Sequence, residues 1–177
     1  MSSLQKFHRR TMSSGSTSGS VWPASVIGMG DSTHGYWLGG AAANKLIVAP
    51  KSTETQKLWG SYGTSNTTST TNGSANTNTL ASFGAAAHPA AYYCKNLTTG
   101  GYNTWYLPAK DELNTMYSNK SAVPFATMDS FTTGWFHSST EYNFYSPSCR
   151  RFDMNTQSDG LSKASTFAIR AIRRTAI

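Results

Sequence analysis

The stretch Trp105 to Asn119, WYLPAKDELNTMYSN, constrains the fold most, because a strand end, a proline and a helix start follow one another directly. Trp105 and Leu107 read as the end of a strand, and Pro108 with Ala109 turns the chain. Asp111 and Glu112 then fall in the first helical turn, where the helix dipole favours negative charge. Leu113, Met116 and Tyr117 share one helical face for the core. The Lys110-Asp111-Glu112 cluster therefore reads as a helix start and not as catalytic machinery.

Upstream, HPAAYYCKNLTTGGY reads as a second helix. Pro89 suits its first position, Ala90, Tyr93, Cys94 and Leu97 share a face, and Gly100-Gly101 ends it. Leu46, Ile47 and Val48 form a short apolar run closed by Pro50, the pattern of a buried strand. VWPASVIGMG and HGYWLGG precede it as the first core segments. Residues 134–140, 148–154 and 166–174 read as three further strands between loops rich in Tyr, Asn, Ser, Pro and Gly. From Gly60 to Thr79 every residue except Tyr62 and Ala75 is Ser, Thr, Asn or Gly. So little apolar surface predicts a long surface loop over 60–79. Two short helices with antiparallel strands make an α+β domain over 21–177, preceded by an extended arm over 1–20.

Charged residues are scarce at 13%, the balance of a surface-displayed module of short strands and long loops. The net charge of +7 comes in clusters, Lys6, Arg9 and Arg10 near the start and Lys163, Arg170, Arg173 and Arg174 near the end. No zinc-finger spacing, helix-turn-helix pattern or aromatic sheet motif accompanies them, so no nucleic-acid partner is expected. The basic arm fits an acidic neighbouring subunit better. The first residues show no secretory h-region and no apolar run is long enough to span a bilayer, so neither a leader nor membrane insertion is expected. Cys94 and Cys149 read as free, partly buried thiols.

The motifs GGYNTWYLPAKDELNTMYSN, GWFHSSTEY and FAIRAIRR, in this order over residues 80–174, resemble the DUF1566-type group of C-type-lectin-like domains of bacteria and phages. That group is distantly similar to the formylglycine-generating enzyme fold. YWLGG, KLIVAPK, LWGSYGT and HPAAYYC resemble the front half of such domains in phage structural proteins. The resemblance implies two helices flanking a small twisted sheet, pairing of the N- and C-terminal strands, and long loops on one face. It also implies that Trp105, Leu107, Pro108, Glu112, Leu113, Ser138, Ser139 and Thr140 hold a display scaffold while the loops bind.

The triplets that hold sugar-binding calcium in animal C-type lectins, Glu-Pro-Asn or Gln-Pro-Asp and a later Trp-Asn-Asp, do not occur here. Asp153 with Asp159, or Glu141 with Asn143, is too sparse an oxygen set, so no metal and no other cofactor is expected. Arg150 and Arg151 beside Cys149 would favour a thiolate, but the cysteine spacing of the oxidase branch is missing. His8, His34, His88 and His137 stand apart, without a nucleophile elbow or a zinc-binding pair, and strand alternation puts His137 and Ser138 on opposite faces. No catalytic residue is assigned.

The strongest binding candidate is EYNFYSPSCRR, Glu141 to Arg151. Tyr142 and Tyr145 offer rings for stacking, and Asn143, Arg150 and Arg151 offer directional hydrogen bonds; Phe144 reads equally well as core. The expectation is a non-enzymatic, oligomeric protein on the virion surface, its arm on other virion proteins and its loops on a host glycan or protein. A capsid or tail decoration subunit and a bacterial cell-surface protein are the alternatives.

Overall fold

Leu46, Ile47 and Val48 are all buried because the sheet they belong to is covered on both sides. Alternation sends Leu46 and Val48 into one apolar cluster with Tyr36, Leu38, Leu113, Met116 and Phe136. It sends Ile47 into a second, with Trp37, Trp59, Leu80, Cys94 and Trp105. The computed structural model of the protein describes residues 27–41 and 44–175. The expected arm over 1–20 lies outside the described residues.

In chain order the elements are β1 (Gly30–Asp31), β2 (Gly35–Trp37), β3 (Leu46–Val48), β4 (Thr55–Leu58), α1 (Gly73–Ser82), α2 (Pro89–Lys95), α3 (Lys110–Ser118), α4 (Phe125–Met128), β5 (Trp135–Glu141), β6 (Pro147–Arg151), β7 (Thr156–Ser158), β8 (Thr166–Ile169) and β9 (Ile172–Arg174). The domain is α+β, with two sheets of order β1-β2-β3-β9 and β4-β8-β5-β6-β7. All pairings are antiparallel except β5 with β8, which run parallel at Phe136 opposite Ala168. The expectation of two helices on one small antiparallel sheet is thus too simple. The C-terminal strand β9 pairs with β3, in the sheet that also holds β1 and β2.

Several sequence boundaries move, the two largest for physical reasons. The polar run expected to be loop over 60–79 turns helical at Gly73. Asn72 caps α1 by accepting from Ala75 N at 3.0 Å, and the Glu112 carboxylate accepts from Gly73 N at 3.1 Å. Thr77 is buried against Leu107, its hydroxyl donating to Leu107 O at 3.1 Å and accepting from Leu107 N at 3.0 Å. Side-chain hydrogen bonds to backbone thus do the ordering that apolar area was expected to do.

The other change splits the strand expected over 166–174. Arg170 is fully buried where the chain leaves one sheet for the other. Its guanidinium donates to Ala49 O at 2.7 Å and Asp129 O at 2.9 Å, and pairs with the carboxylates of Glu54 and Asp129. An ion held on four sides cannot follow a strand's simple in-out alternation. Helix α2 also stops earlier than expected, at Lys95 with Asn96 as its cap, and Gly100-Gly101 belongs to a separate 3-10 turn.

Candidate functional site

Strands β5 and β6 form a hairpin whose tip carries the expected binding residues. Tyr142 N and Asn143 N both donate to Ser146 O, at 3.0 and 3.1 Å. The Asn143 side-chain oxygen accepts from Tyr145 N at 2.8 Å and Ser146 N at 2.9 Å, closing an Asx turn. Asn143, expected to supply hydrogen bonds to a ligand, thus uses its side-chain oxygen to shape the tip. The turn leaves Tyr142, Phe144 and Tyr145 outward, 59%, 48% and 62% exposed. Phe144 is not a core ring.

A fourth ring joins from the polar loop. Tyr62, 53% exposed, lies edge-on to Tyr145 with ring centres 5.7 Å apart, and Phe144 lies 4.9 Å from Tyr145. Gly63 N donates to Phe144 O at 3.1 Å, and Lys163 N to Tyr145 O at 2.9 Å, so three segments share backbone bonds at this surface. Tyr62 and Phe83 also line an adjoining cleft of about 200 Å³ with the nearly buried His88. His88 packs edge-on to Trp59 at 5.1 Å, and burial lowers its pKa, leaving the imidazole neutral at neutral pH.

Beneath the rings sits a buried ion pair. Lys163 Nζ lies 2.5 Å from Glu141 Oε1 and 2.5 Å from Gly63 O, and 4.8 Å from the centre of the Trp59 ring. Glu141 also accepts from the backbone N–H groups of Ser65 and Asn66, each at 2.9 Å. Burial alone would raise its carboxyl, but the Lys163 ammonium and the Ser65 N–H outweigh that and hold it below the usual range. One charge pair thus clamps the Tyr62 loop to the hairpin. The sequence reading missed Tyr62, Phe83 and Lys163 as contributors, and included Glu141 only as the first residue of the candidate stretch. The available signal was Tyr62, the one aromatic ring in the polar run.

Arg150 and Arg151 are not brought to these rings. Arg150 donates to Asn114 at 2.8 Å and Asn155 at 2.7 Å and stacks 3.9 Å above the Tyr117 ring, while Arg151 forms a two-pronged pair with Asp153. Both guanidiniums are held by partners within the chain, with Arg150 Nε buried and making no hydrogen bond.

The residues of the motif pattern tie separate segments of the chain together. Ser138 donates to Ser148 O at 2.7 Å, and Thr140 donates to Ser69 O at 2.8 Å while accepting from Lys110 N. Ser139 N donates to Pro108 O, and Trp105 Nε1 to Thr99 O. Leu107 and Leu113 are buried. Glu112 accepts from Gly73 N, Ala109 N, Tyr106 OH and Arg174 Nε. Its role reaches beyond a favourable charge at a helix start, because it ties α1, α3 and β9 together.

Cys149 is buried and not partly exposed, its Sγ 3.4 Å from His137 Nδ1. Burial pushes the thiol up, so the arginines next to it in sequence do not make a thiolate. Cys94 is likewise buried and raised. Among the described residues no three His, Cys, Asp or Glu side chains converge as a metal site would require, and no helix is long and apolar enough to cross a membrane. No family model matches the chain, and comparison with curated proteins finds no significant match.

Proposed function

We propose that this chain is a non-enzymatic bacteriophage virion protein that displays a C-type-lectin-like domain for attachment to the host surface. The observation that carries this reading is the ring surface of Tyr62, Tyr142, Phe144 and Tyr145, exposed at a hairpin tip yet fixed by backbone bonds and a buried ion pair. Monomeric proteins seldom expose large adjoining rings without a partner for them. Rigid tyrosines contribute contact area at low entropic cost. The order of the LP, SSTEY and terminal IRAIRR motifs supports the scaffold assignment. In this reading the N-terminal arm docks an oligomer of the domain on tail, fibre or capsid, and the ring surface faces a glycan or protein of the host envelope.

Purified protein is expected to bind host envelope fractions and to compete with phage adsorption. Replacing both Tyr62 and Tyr145 by Ala should weaken binding by about 2 kcal/mol or more while leaving the melting temperature nearly unchanged. Wild-type protein that neither binds envelope nor blocks adsorption, but is present in hundreds of copies per particle, would favour a decoration subunit instead.

A further inference from the structure

The face of the β3–β9 pair that carries Ile47 holds two buried cations, Arg173 and Lys45, 4% and 5% exposed. Arg173 stands directly opposite Ile47. Pairing continues one step further, with Thr175 N donating to Lys45 O at 3.1 Å and Thr175 Oγ1 accepting from Lys45 N at 2.9 Å. Alternation returns Lys45 to the Ile47 face, so the two cations are diagonal neighbours, their Cα atoms about 7–8 Å apart. Both lie against rings. Arg173 Cζ is 3.5 Å from the centre of the Tyr102 ring and 5.4 Å from that of Trp105, and Lys45 Nζ is 4.8 Å from that of Trp37.

Neither cation finds a carboxylate. The sequence has eight Asp and Glu side chains, all within the described residues. Asp111 alone forms no ion pair there, and the rest pair with other cations. Arg173 Nε and Nη2 are buried without a hydrogen bond. Burial lowers the Arg173 pKa, opposed only by Tyr102, yet a guanidinium keeps its proton at any physiological pH. Arg170 and Lys163 show what is missing, since each of these buried cations lies against a carboxylate. Ring faces offset only part of the desolvation of a cation. A water molecule would fill a hydrogen bond at Arg173 and leave both charges uncompensated, whereas an anion answers both needs.

We propose that Arg173 and Lys45 form a binding site for one oxyanion, a carboxylate or phosphate group supplied from outside the chain. Guanidinium and ammonium groups only donate, so charge and hydrogen bonding select the same kind of ligand. The site shares no residue with the ring surface; the assignment goes beyond the attachment reading and does not depend on it.

Thermal unfolding of the full chain tests it, at constant ionic strength, with sodium chloride replaced stepwise by sodium phosphate or by sodium acetate. A saturable rise in melting temperature with one or both anions is expected, and the anion with the lower half-saturation concentration identifies the group. Arg173→Met keeps an apolar stem against the rings and should lose the response. Lys45→Met leaves the guanidinium in place and should raise the half-saturation concentration severalfold, which decides the matter by itself if Arg173→Met fails to fold. A rise linear in concentration, or equal in wild type and variants, is the general salting effect and would overturn the proposal, as would no rise with either anion.

Discussion

His137 and Cys149 face each other in the interior, and their protonation states follow from what surrounds them. The Ser165 carbonyl, 3.1 Å from His137 Nε2, can only accept, so Nε2 carries the ring proton. Nδ1 is then an acceptor, and the raised pKa of Cys149 makes its thiol the donor. A neutral thiol bonded to a neutral imidazole is the opposite of the thiolate and imidazolium of a cysteine nucleophile. Burial holds the His137 pKa down at about 4, against an ordinary 6.5. The unfolded chain therefore binds a proton at this site between those values when the folded chain does not, and stability falls as pH drops from about 6.5 to about 4. The loss from this residue should approach about 3 kcal/mol. Urea melts across that range should show it, and His137→Gln should flatten the profile even though the variant is less stable at neutral pH. A second expectation follows from the thiols: neither Cys149 nor Cys94 should react with a thiol reagent until the protein is unfolded. Rapid labelling of native protein would contradict it.

At the level of elements, Glu112 decides how α1 and α3 meet. Glu112→Ala would strand Gly73 N, Ala109 N, Tyr106 OH and the Arg174 guanidinium together, and should cost about 3–5 kcal/mol by chemical denaturation. Gly73→Ala should also destabilise, for a steric reason: a Cβ there would stand 2.5 Å from Glu112 Oε2 and 2.6 Å from Ala109 N. A variant with wild-type stability at either position would refute the tie. This junction also marks how far the sequence can be read. The start of α3 was legible because Pro108, the acidic pair and the spacing of Leu113 and Met116 are local signals. Strand β3 and the proline start of α2 were legible for the same reason. The start of α1 was not, because the group that binds Gly73 N lies on another helix and no composition rule sees across that distance. The break between β8 and β9 was hidden likewise, since the acids that bury Arg170 come from Glu54 and Asp129, far away in the chain. The candidate surface was half legible. The hairpin rings stand together in sequence, whereas Tyr62 reaches them only through the fold, and Arg150 and Arg151 are drawn away by Asn114, Asn155 and Asp153.

Across the whole molecule, the Lys163–Glu141 pair joins the polar loop, the β5–β6 hairpin and the segment before β8 into one surface. Removing one partner leaves the other charge buried, so Lys163→Met should cost about 3–5 kcal/mol. Glu141→Gln should cost less than Lys163→Met, since an amide keeps one acceptor oxygen for the Ser65 and Asn66 N–H groups. The double change Lys163→Met, Glu141→Leu removes both charges together, and should recover a good part of the stability lost in Lys163→Met. It should not restore the surface, because Ser65 N and Asn66 N lose their acceptor and the Tyr62 loop its anchor. Stability and ring placement are thereby separable. In the double variant the melting temperature is expected to move back toward wild type, while amide exchange over residues 61–67 remains faster than in wild type and binding to envelope remains weak. If the double variant kept slow exchange in that loop, the ion pair would be a matter of core stability alone, and the ring surface would owe its rigidity to the backbone bonds of Gly63 and Lys163.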